Sequence, residues 1–450
     1  MRERNLRKQA LESSKTVSRK ARSTVGTPTS SRANSVTPSR NGSRVPSADV
    51  SDDDGDFSDG TQWSTNSIDE LLLAPPELEN EEPGTWIADI GDLINEICDR
   101  KRSSVQGREE ALNVFSVMMM RHYAKNEIAS RMDDLLPAIL KSVKAGQTEK
   151  ETVLGLKALA LMIVSDPSDT VYDTVSGPIK LSITDAQHPG AKIAAIHALS
   201  LATFYGGASD EEILNVMEFF LEIITTDGEA VEEADNAEIV TAALVEWSFL
   251  ATLVEDVQDV TEEAMDAFVD QLESSNATVQ IAAGENIALL FEKSHTEAES
   301  DDELSSEDEA EAASRNERNE PRFVKRYTVY RQQHLLEKTL EELARASSKR
   351  LSKKDRKNLH LTFKDVLLTV EKPTRGPRWS TAIDDETGRE YGSRLKISVS
   401  DHGRMTIDEW WKLHRLNGLK RLLQSGFLVH YDQNPAVYES LPVEYEQMHD

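Results

Sequence analysis

The 450-residue sequence lacks several features on which common protein classes depend. Its single cysteine, Cys98, excludes an internal disulfide framework and any cysteine-rich zinc site, and is typical of a reducing compartment. No apolar run approaches the roughly 18–20 residues that span a bilayer, and Ala158 to Val164 is typical of the longest. The 38% apolar and 29% charged content fits a soluble chain with disordered segments, so we expect no membrane partner.

Catalytic motifs are lacking as well. Gly206-Gly207 precedes an ordinary helix N-cap at Ser209 rather than forming a phosphate-binding loop, and there is no His-Glu-x-x-His metal motif. The histidines are scattered, and isolated histidines are mostly structural or surface residues: His188, His197, His402, His414 and His430. The carboxylates fall on predicted helix surfaces and linkers, without a pocket for acid–base work. We predict that the protein is not an enzyme and uses no cofactor, metal or small-molecule substrate.

The sequence does contain an uneven distribution of charge. Its formal net charge is -29, yet Arg322–Lys364 holds thirteen Lys/Arg against four Asp/Glu. The preceding stretch, Glu297–Glu311, holds nine carboxylates and no Lys or Arg. Clustered cations displace counterions from a phosphate backbone. An import receptor recognises the same pattern, and a charge run can also be merely solvated, so three interpretations stay open.

The chain divides into five predicted regions. Residues 1–84 are predicted to be a disordered tail, basic and then acidic; its first 48 residues carry eleven Lys/Arg and two Glu, but too few apolar residues for the amphipathic face of a transit peptide. Residues 85–293 show apolar spacings of three and four, typical of helices. An acidic disordered linker (294–320), a basic helix segment (321–358) and a C-terminal domain (359–445) follow. The clearest helices of the second region are Trp86–Asp99, Gln106–Arg121, Ala129–Lys144, Glu149–Ser165, Pro189–Phe204, Asp210–Thr225, Ala237–Asp256, Thr261–Glu273 and Ala277–Glu292.

These helices recur as pairs. The segment Lys157–Leu161 recurs at His197–Leu201, a shift of 40, and Leu136–Ile139 recurs with Pro178-Ile179. A two-helix period of this length is the signature of HEAT or armadillo stacking. We therefore predict an all-α, HEAT/armadillo-like solenoid with a small C-terminal α(+β) unit; an irregular helical bundle is the alternative. Because this solenoid is acidic, basic partners or protein complexes could dock on its surface.

The basic segment is the candidate functional site. We predict a helix from Pro321 to Ala346, on which Phe323, Tyr327 and Tyr330 form a stripe beside cations and could stack on RNA bases. Alternatively, the aromatic stripe packs on the solenoid and the cations stay in water. The candidate RNA- or ribosome-binding residues are Lys325, Arg326, Arg331, Lys349, Arg350, Lys353, Lys354, Arg356 and Lys357.

The C-terminal region combines helices with a hairpin. Leu359–Glu371 is amphipathic and helical, Leu395–Val399 alternates as a strand that turns into Met405–Ile407, and Ile407–Leu423 returns to helical spacing. Several stretches here resemble the interferon-related developmental regulator family. They are Leu351–Lys357, Phe363–Leu367 with Val370-Glu371, Trp410 or Trp411, Leu419–Gly426, His430 and Asn434. The resemblance covers about Thr85 to Pro442.

That resemblance implies an armadillo-like protein without enzymatic activity. It further implies one or both of two roles: association with translationally inactive ribosomes, and co-regulation of transcription through deacetylase-containing complexes. In the ribosome-bound case the segment after the solenoid, here Arg322–Lys357, would reach RNA-lined sites. The sequence departs from the family pattern in the long Gly/Pro/Asp-rich insert Lys372–Arg394 and in a C-terminus that stops soon after Tyr445.

Two functional hypotheses follow. In the first, the protein is a scaffold that binds ribosomes or RNA through the basic segment and regulates translation. In the second, it is a nuclear co-regulator that binds only proteins, and the basic cluster is an import signal. Cytoplasm and nucleus are both expected locations. Ser300, Ser305 and Ser306 each have an acidic residue three positions later, and phosphate there would compete with RNA for the nearby cations.

Overall fold

A computed structural model describes residues 85–100, 103–298, 323–345, 353–383, 390–400, 403–442 and 445–447. The predicted N-terminal tail and most of the predicted acidic linker lie outside these residues. The helices up to residue 298 are α1 (Thr85–Cys98), α2 (Val105–Arg121), α3 (Lys125–Ala129), α4 (Met132–Ala145), α5 (Glu149–Ser165), α6 (Val171–Asp185), α7 (Pro189–Tyr205), α8 (Asp210–Thr225), α9 (Ala237–Ala251), α10 (Gln258–Gln271) and α11 (Ala277–Lys293).

These helices stack in two rows. Helices α2, α5, α7, α9 and α11 pack on one another in chain order and form an inner row. Helices α1, α4, α6, α8 and α10 form the outer row, and each packs on an inner helix that follows it. This is the helix-pair stacking of a HEAT or armadillo solenoid, so the predicted fold is confirmed. Within the described residues no helix has the length and apolar content needed to cross a membrane.

Sequence patterns explain why the rows differ. Inner helices are apolar on nearly all sides, as in α5, where almost every residue from Glu151 to Ser165 is buried between neighbouring helices. Outer helices are amphipathic: α8 buries its apolar stripe and leaves Glu218 and Glu222 exposed. The chain fixes the start of α8 with a capping box between Ser209 and Glu212.

One turn depends on glycine. Gly207, between α7 and α8, has a φ of +83°, and a Cβ there would overlap the backbone of Asp169. A residue with a side chain would therefore be both strained and obstructed at this position. The Gly206-Gly207 pair is a structural turn, as the sequence predicts.

A further helix pair extends the rows. Helix α12 (Gln333–Arg345) packs on α13 (Lys353–Glu371), and α13 packs on α11 as the next inner helix. The Phe363 ring fills the space left by Gly284 of α11, where a Cβ would come within 2.9 Å of it. The predicted boundary at 358/359 falls inside α13, and the division into five regions stays a prediction.

The predicted helix over Pro321–Ala346 is wrong in its first half. Residues 323–325 form strand β2 (Phe323–Lys325), which pairs antiparallel with β1 (His295–Glu297) in the register Thr296↔Val324. The helix begins only at Gln333. The strand forms because a partner distant in sequence offers backbone hydrogen bonds, which the local helical spacing does not reveal.

The C-terminal region adds two small sheets and further helices. Strands β3 (Trp379–Ile383) and β4 (Glu390–Ser393) pair, as do β5 (Lys396–Ser400), β6 (Gly403–Thr406) and β7 (Tyr445–Gln447) in a second sheet of order β5-β6-β7. The predicted hairpin is thereby confirmed. Helices α14 (Trp410–Leu423), α15 (Phe427–Gln433) and α16 (Pro435–Ser440) follow, and we call residues 410–441 the strap.

Candidate nucleic-acid interface and the closed edge of the solenoid

The last part of the solenoid, residues 193–292, carries many negatively charged residues and almost no positively charged ones. Residues 193–292 contain 22 Asp/Glu and no Lys or Arg. Many of these carboxylates are exposed on α8 and α10, which are neighbours in the outer row: Glu211, Glu218, Glu222, Glu262, Glu263, Asp266 and Asp270. A polyanion would be repelled from this part of the surface. Any phosphate contact must therefore come from elsewhere on the chain.

Three candidate cations lie just beyond the carboxyl end of α11. Lys325 is the last residue of β2 and is exposed. Arg326 is anchored across the strand pair, since its Nε donates to the Thr296 hydroxyl at 2.5 Å. Arg331 approaches Glu262 at 3.5 Å, with both side chains more than three-quarters exposed. These three residues form the first cation group, on the solvent side of the chain.

The aromatic residues of the same stretch face the other way. Tyr327 and Tyr330 are half-buried against the solenoid core, with Val324 and Val329 buried beside them. Burial also raises the pKa of the Tyr327 hydroxyl. The packing stated as the alternative from the sequence is therefore found for these two tyrosines, whose rings lie against the solenoid.

The remaining candidate cations belong to the start of α13. Lys353 and Lys354 form its first turn, Arg356 is half-buried and Lys357 is exposed. Lys349 and Arg350 lie outside the described residues, as do the candidate phosphorylation residues Ser300, Ser305 and Ser306. We call Lys353, Lys354, Arg356 and Lys357 the second cation group.

The two cation groups lie at opposite ends of α13. Gln333, at the start of α12, donates from its amide nitrogen to the Val370 carbonyl at 3.2 Å, so the first group is close to the end of α13. The second group is at its beginning. From Arg356 to Val370 the helix rises about 20 Å. The candidate residues therefore form two contact points rather than one continuous helical face.

The strap covers the carboxyl ends of the inner helices. Three of its side chains donate to carbonyl oxygens in the last turns or caps of three inner helices: His430 Nε2 to Met119 (2.8 Å), Asn434 Nδ2 to Val164 (2.9 Å) and Arg415 Nη2 to Thr252 (2.9 Å). Terminal helix carbonyls have no partner within their own helix, so these bonds satisfy groups that burial would otherwise leave unpaired. A cation such as Arg415 is also favourable beside the negative end of a helix dipole.

Close packing accompanies these bonds. Gly426 lies against the Met120 carbonyl and Gly418 against the Phe249 ring, and a Cβ at either glycine would overlap its neighbour. Trp410, Leu419, Phe427 and other apolar residues of the strap are almost fully buried. This edge of the inner row is thus occupied by the protein's own chain, and a partner peptide cannot lie there while the strap is in place.

Two carboxylates of the inner helices hold the strap. Glu292 accepts backbone hydrogen bonds from Trp410 (2.6 Å) and Trp411 (3.0 Å) at the start of α14. Burial raises the pKa of Glu292 to about 8, and the two N–H donors oppose that rise.

The second carboxylate, Glu246 of α9, pairs with Arg421 of the strap and with His197 Nδ1 at 2.6 Å. Burial alone would raise its pKa, but Arg421 and His197 outweigh burial and lower the pKa of Glu246. Glu292 and Glu246 therefore stabilise the fold. His430 does so too, which agrees with the prediction that isolated histidines are mostly structural or surface residues. Among the described residues there is no group of three or more His, Cys, Asp or Glu placed to hold a metal ion.

Sequence reasoning missed the roles of the buried polar residues. Glu246 sits in an apolar stretch of α9, between Val245 and Trp247, which is a signal that its carboxylate needs a buried partner. The partner itself, Arg421, is 175 positions away and could not be identified from local patterns.

Comparison with known proteins fixes the family. Residues 57–371 match the family model of the interferon-related developmental regulators, which is more than half of the chain. The chain belongs to the interferon-related developmental regulator family. The strap lies beyond the matched stretch.

Mammalian relatives that carry the family name agree with this assignment, and a fungal protein is similar to the chain as well. Interferon-related developmental regulator 1 of Mus musculus is 23% identical over 356 residues, which cover 76% of this chain and 68% of the mouse protein. The human protein of the same name is 22% identical over the same length. A protein of Schizosaccharomyces pombe is 27% identical over 388 residues, covering 85% of this chain and 81% of its own. Family membership supports a regulatory role for this interferon-related developmental regulator.

Proposed function

We propose that this protein is a non-enzymatic regulator of translation that binds ribosomes or RNA through the two cation groups. The solenoid is a rigid platform, and the stretch from β2 to α13 at its end carries the cations into contact with phosphates. Membership of a regulator family supports a regulatory role without catalysis. Ribosomal RNA is the partner whose charge fits these cations best.

One observation carries the proposal. The chain bears a net charge of -29, and residues 193–292 of its solenoid lack Lys and Arg, yet beyond the acidic stretch Glu297–Glu311 exposed cations reappear at Lys325, Arg331, Lys357 and Lys364. Cations next to so acidic a surface favour the approach of a polyanion from their side. A solvated charge run would not need that separation.

The alternative function is a nuclear co-regulator that binds deacetylase-type protein complexes, with the basic cluster as an import signal. The strap restricts where such a partner protein could bind, because it occupies the edge of the solenoid formed by the carboxyl ends of the inner helices. A partner protein would have to use the outer row or the opposite edge. Residence in both cytoplasm and nucleus is compatible with either function.

Binding to RNA tests the proposal directly. Affinity of the full-length protein for a fluorescein-labelled ribosomal RNA fragment is measured by anisotropy over a range of salt concentrations. If six cations contact phosphates, the logarithm of affinity falls with the logarithm of salt at a slope of about -4 to -5. The variant with Gln at Lys349, Arg350, Lys353, Lys354, Arg356 and Lys357 should have a much flatter slope.

A control variant removes three positive charges without touching the proposed contacts. Lys141 and Lys144 of α4 and Lys150 of α5 are exposed residues far along the chain from the basic segment. Their replacement by Gln should leave the slope unchanged. An equal slope for wild type and the six-site variant, or no RNA binding at all by the wild type, would remove the proposal.

A further inference from the structure

The exposed side of α13 carries a row of basic residues that continues beyond the second cation group. Lys357, His360 and Lys364 follow the spacing i, i+3, i+7, which keeps side chains on one side of an α-helix. We call these three residues the α13 row. It begins within the second cation group at Lys357 and adds His360 and Lys364, which are not in the candidate set above.

The buried residues of the same helix show which way the α13 row faces. Three of them have the same spacing as the row, displaced by six positions: Phe363, Val366 and Val370. Six positions turn the helix by about 240°, so the α13 row lies roughly 120° round the helix axis from the apolar one. Lys357 and Lys364 are accordingly exposed, and His360 is half-buried.

The α13 row runs from the second cation group toward the first. From Lys357 to Lys364 the helix rises about 10 Å, roughly half of the distance that separates the groups. Of the acidic residues nearby, Asp365 is directed to Arg378, whose Nε lies 3.5 Å from its carboxylate. Glu371 lies at the far end of α13 and is exposed.

We propose that the α13 row follows the phosphate backbone of an RNA strand, with Lys364 as a contact that extends the second cation group along the helix. This inference rests on the proposed function and makes it more specific. A protein partner would need apolar anchors, but Phe363, the one Phe, Tyr or Trp of α13, is fully buried. A phosphate chain needs only repeated cations, so the contact should be independent of base sequence.

Single substitutions test the row. In the anisotropy assay with single-stranded RNA, Lys364→Gln should make the salt slope shallower by about 0.7, the value for one lost phosphate contact on a single strand. Lys364→Arg keeps the charge and should retain the wild-type slope. Lys150→Gln is the matched control, because it removes the same charge from an exposed position on another helix. Each variant is first checked for an unchanged thermal midpoint.

The outcomes separate this inference from the proposed function. If the six-site variant flattens the slope but Lys364→Gln behaves like Lys150→Gln, the α13 row is wrong and the proposed function stands. If Lys364→Gln weakens one RNA sequence and leaves others unaffected, backbone tracking is contradicted. If the wild-type protein does not bind the RNA, both proposals fail together.

Discussion

The middle of the solenoid and its last helix pair share one architecture and carry opposite surfaces. Helices α9 and α11 bury apolar residues against inner-row neighbours, and α13 does the same with Leu359, Phe363 and Val366. On the outside, residues 193–292 carry no cation, whereas α13 presents Lys357 and Lys364. The fold therefore does not determine the sign of the surface charge. The two regions differ in the charge of the partner that each can attract, and we expect their functions to differ for that reason.

The largest effect is expected from a substitution that removes the packing between the two regions. Phe363→Ala empties the space beside Gly284 and should lower the free energy of unfolding by about 3–5 kcal/mol, as buried aromatic-to-alanine changes do. Urea unfolding of the full chain measures it. The neighbouring Lys364→Gln should change stability by less than about 0.5 kcal/mol, since surface changes usually do little. Equal effects of the two substitutions would show that the assigned faces of α13 are wrong.

A buried carboxylate should affect the pH dependence of stability differently from the exposed carboxylates of residues 193–292. Glu151 of α5 is fully buried and bonds to Arg108 and Arg100 at 2.7 and 2.8 Å. Burial acts to raise its pKa, but these bonds and others outweigh burial and lower the pKa to about 2. A lowered folded-state pKa stabilises the fold above the unfolded value of 4.5, and this contribution is lost as pH falls toward about 2.

Glu151→Gln should therefore cost about 3 kcal/mol at neutral pH, and the difference from wild type should shrink steadily below pH 4.5. Urea unfolding of both proteins at several pH values measures the difference. As a control, Glu218→Gln at an exposed position of α8 should change the free energy of unfolding at neutral pH by less than about 0.5 kcal/mol. A cost for Glu151→Gln that stays constant with pH would contradict the assigned network.

The smallest expected effect concerns the border between the two regions. Arg331 and Glu262 are both highly exposed at 3.5 Å, and such surface pairs contribute about 0–1 kcal/mol. Arg331→Gln should leave the unfolding midpoint nearly unchanged but weaken RNA binding by one phosphate contact. Glu262→Gln should also leave stability unchanged, and it should not weaken RNA binding. If both substitutions reduce RNA affinity equally, RNA contacts the Arg331–Glu262 pair as a unit rather than the Arg331 guanidinium alone.

Local signals predicted much of the solenoid. The bounds predicted for Glu149–Ser165 and Asp210–Thr225 agree with the structure, because Thr148 and Ser209 cap these helices with side-chain hydrogen bonds. Helix α6 was not among the clearest predicted helices, since Gly177 and Pro178 interrupt its pattern. Its place in the repeat was nevertheless indicated, because the sequence pattern around Pro137 recurs around Pro178.

Contacts between distant parts of the chain could not be predicted in the same way. The β1–β2 pairing replaces the first half of a predicted helix, and it depends on residues about thirty positions away. The strap depends on still longer separations: 311 positions from His430 to Met119 and 270 from Asn434 to Val164. The candidate cations were identified from composition alone, but their division into two groups needed the path of α12 and α13.

Sedimentation of a lysate through a sucrose gradient tests the central claim most directly. The tagged wild-type protein and the six-site Gln variant are followed side by side in low and high salt, with the Lys141, Lys144 and Lys150 variant as control. We expect the wild type and the control to migrate with ribosomal particles in low salt only, and the six-site variant to stay in the light fractions. Wild-type protein confined to light fractions, or a six-site variant that still migrates with ribosomes, would contradict the account.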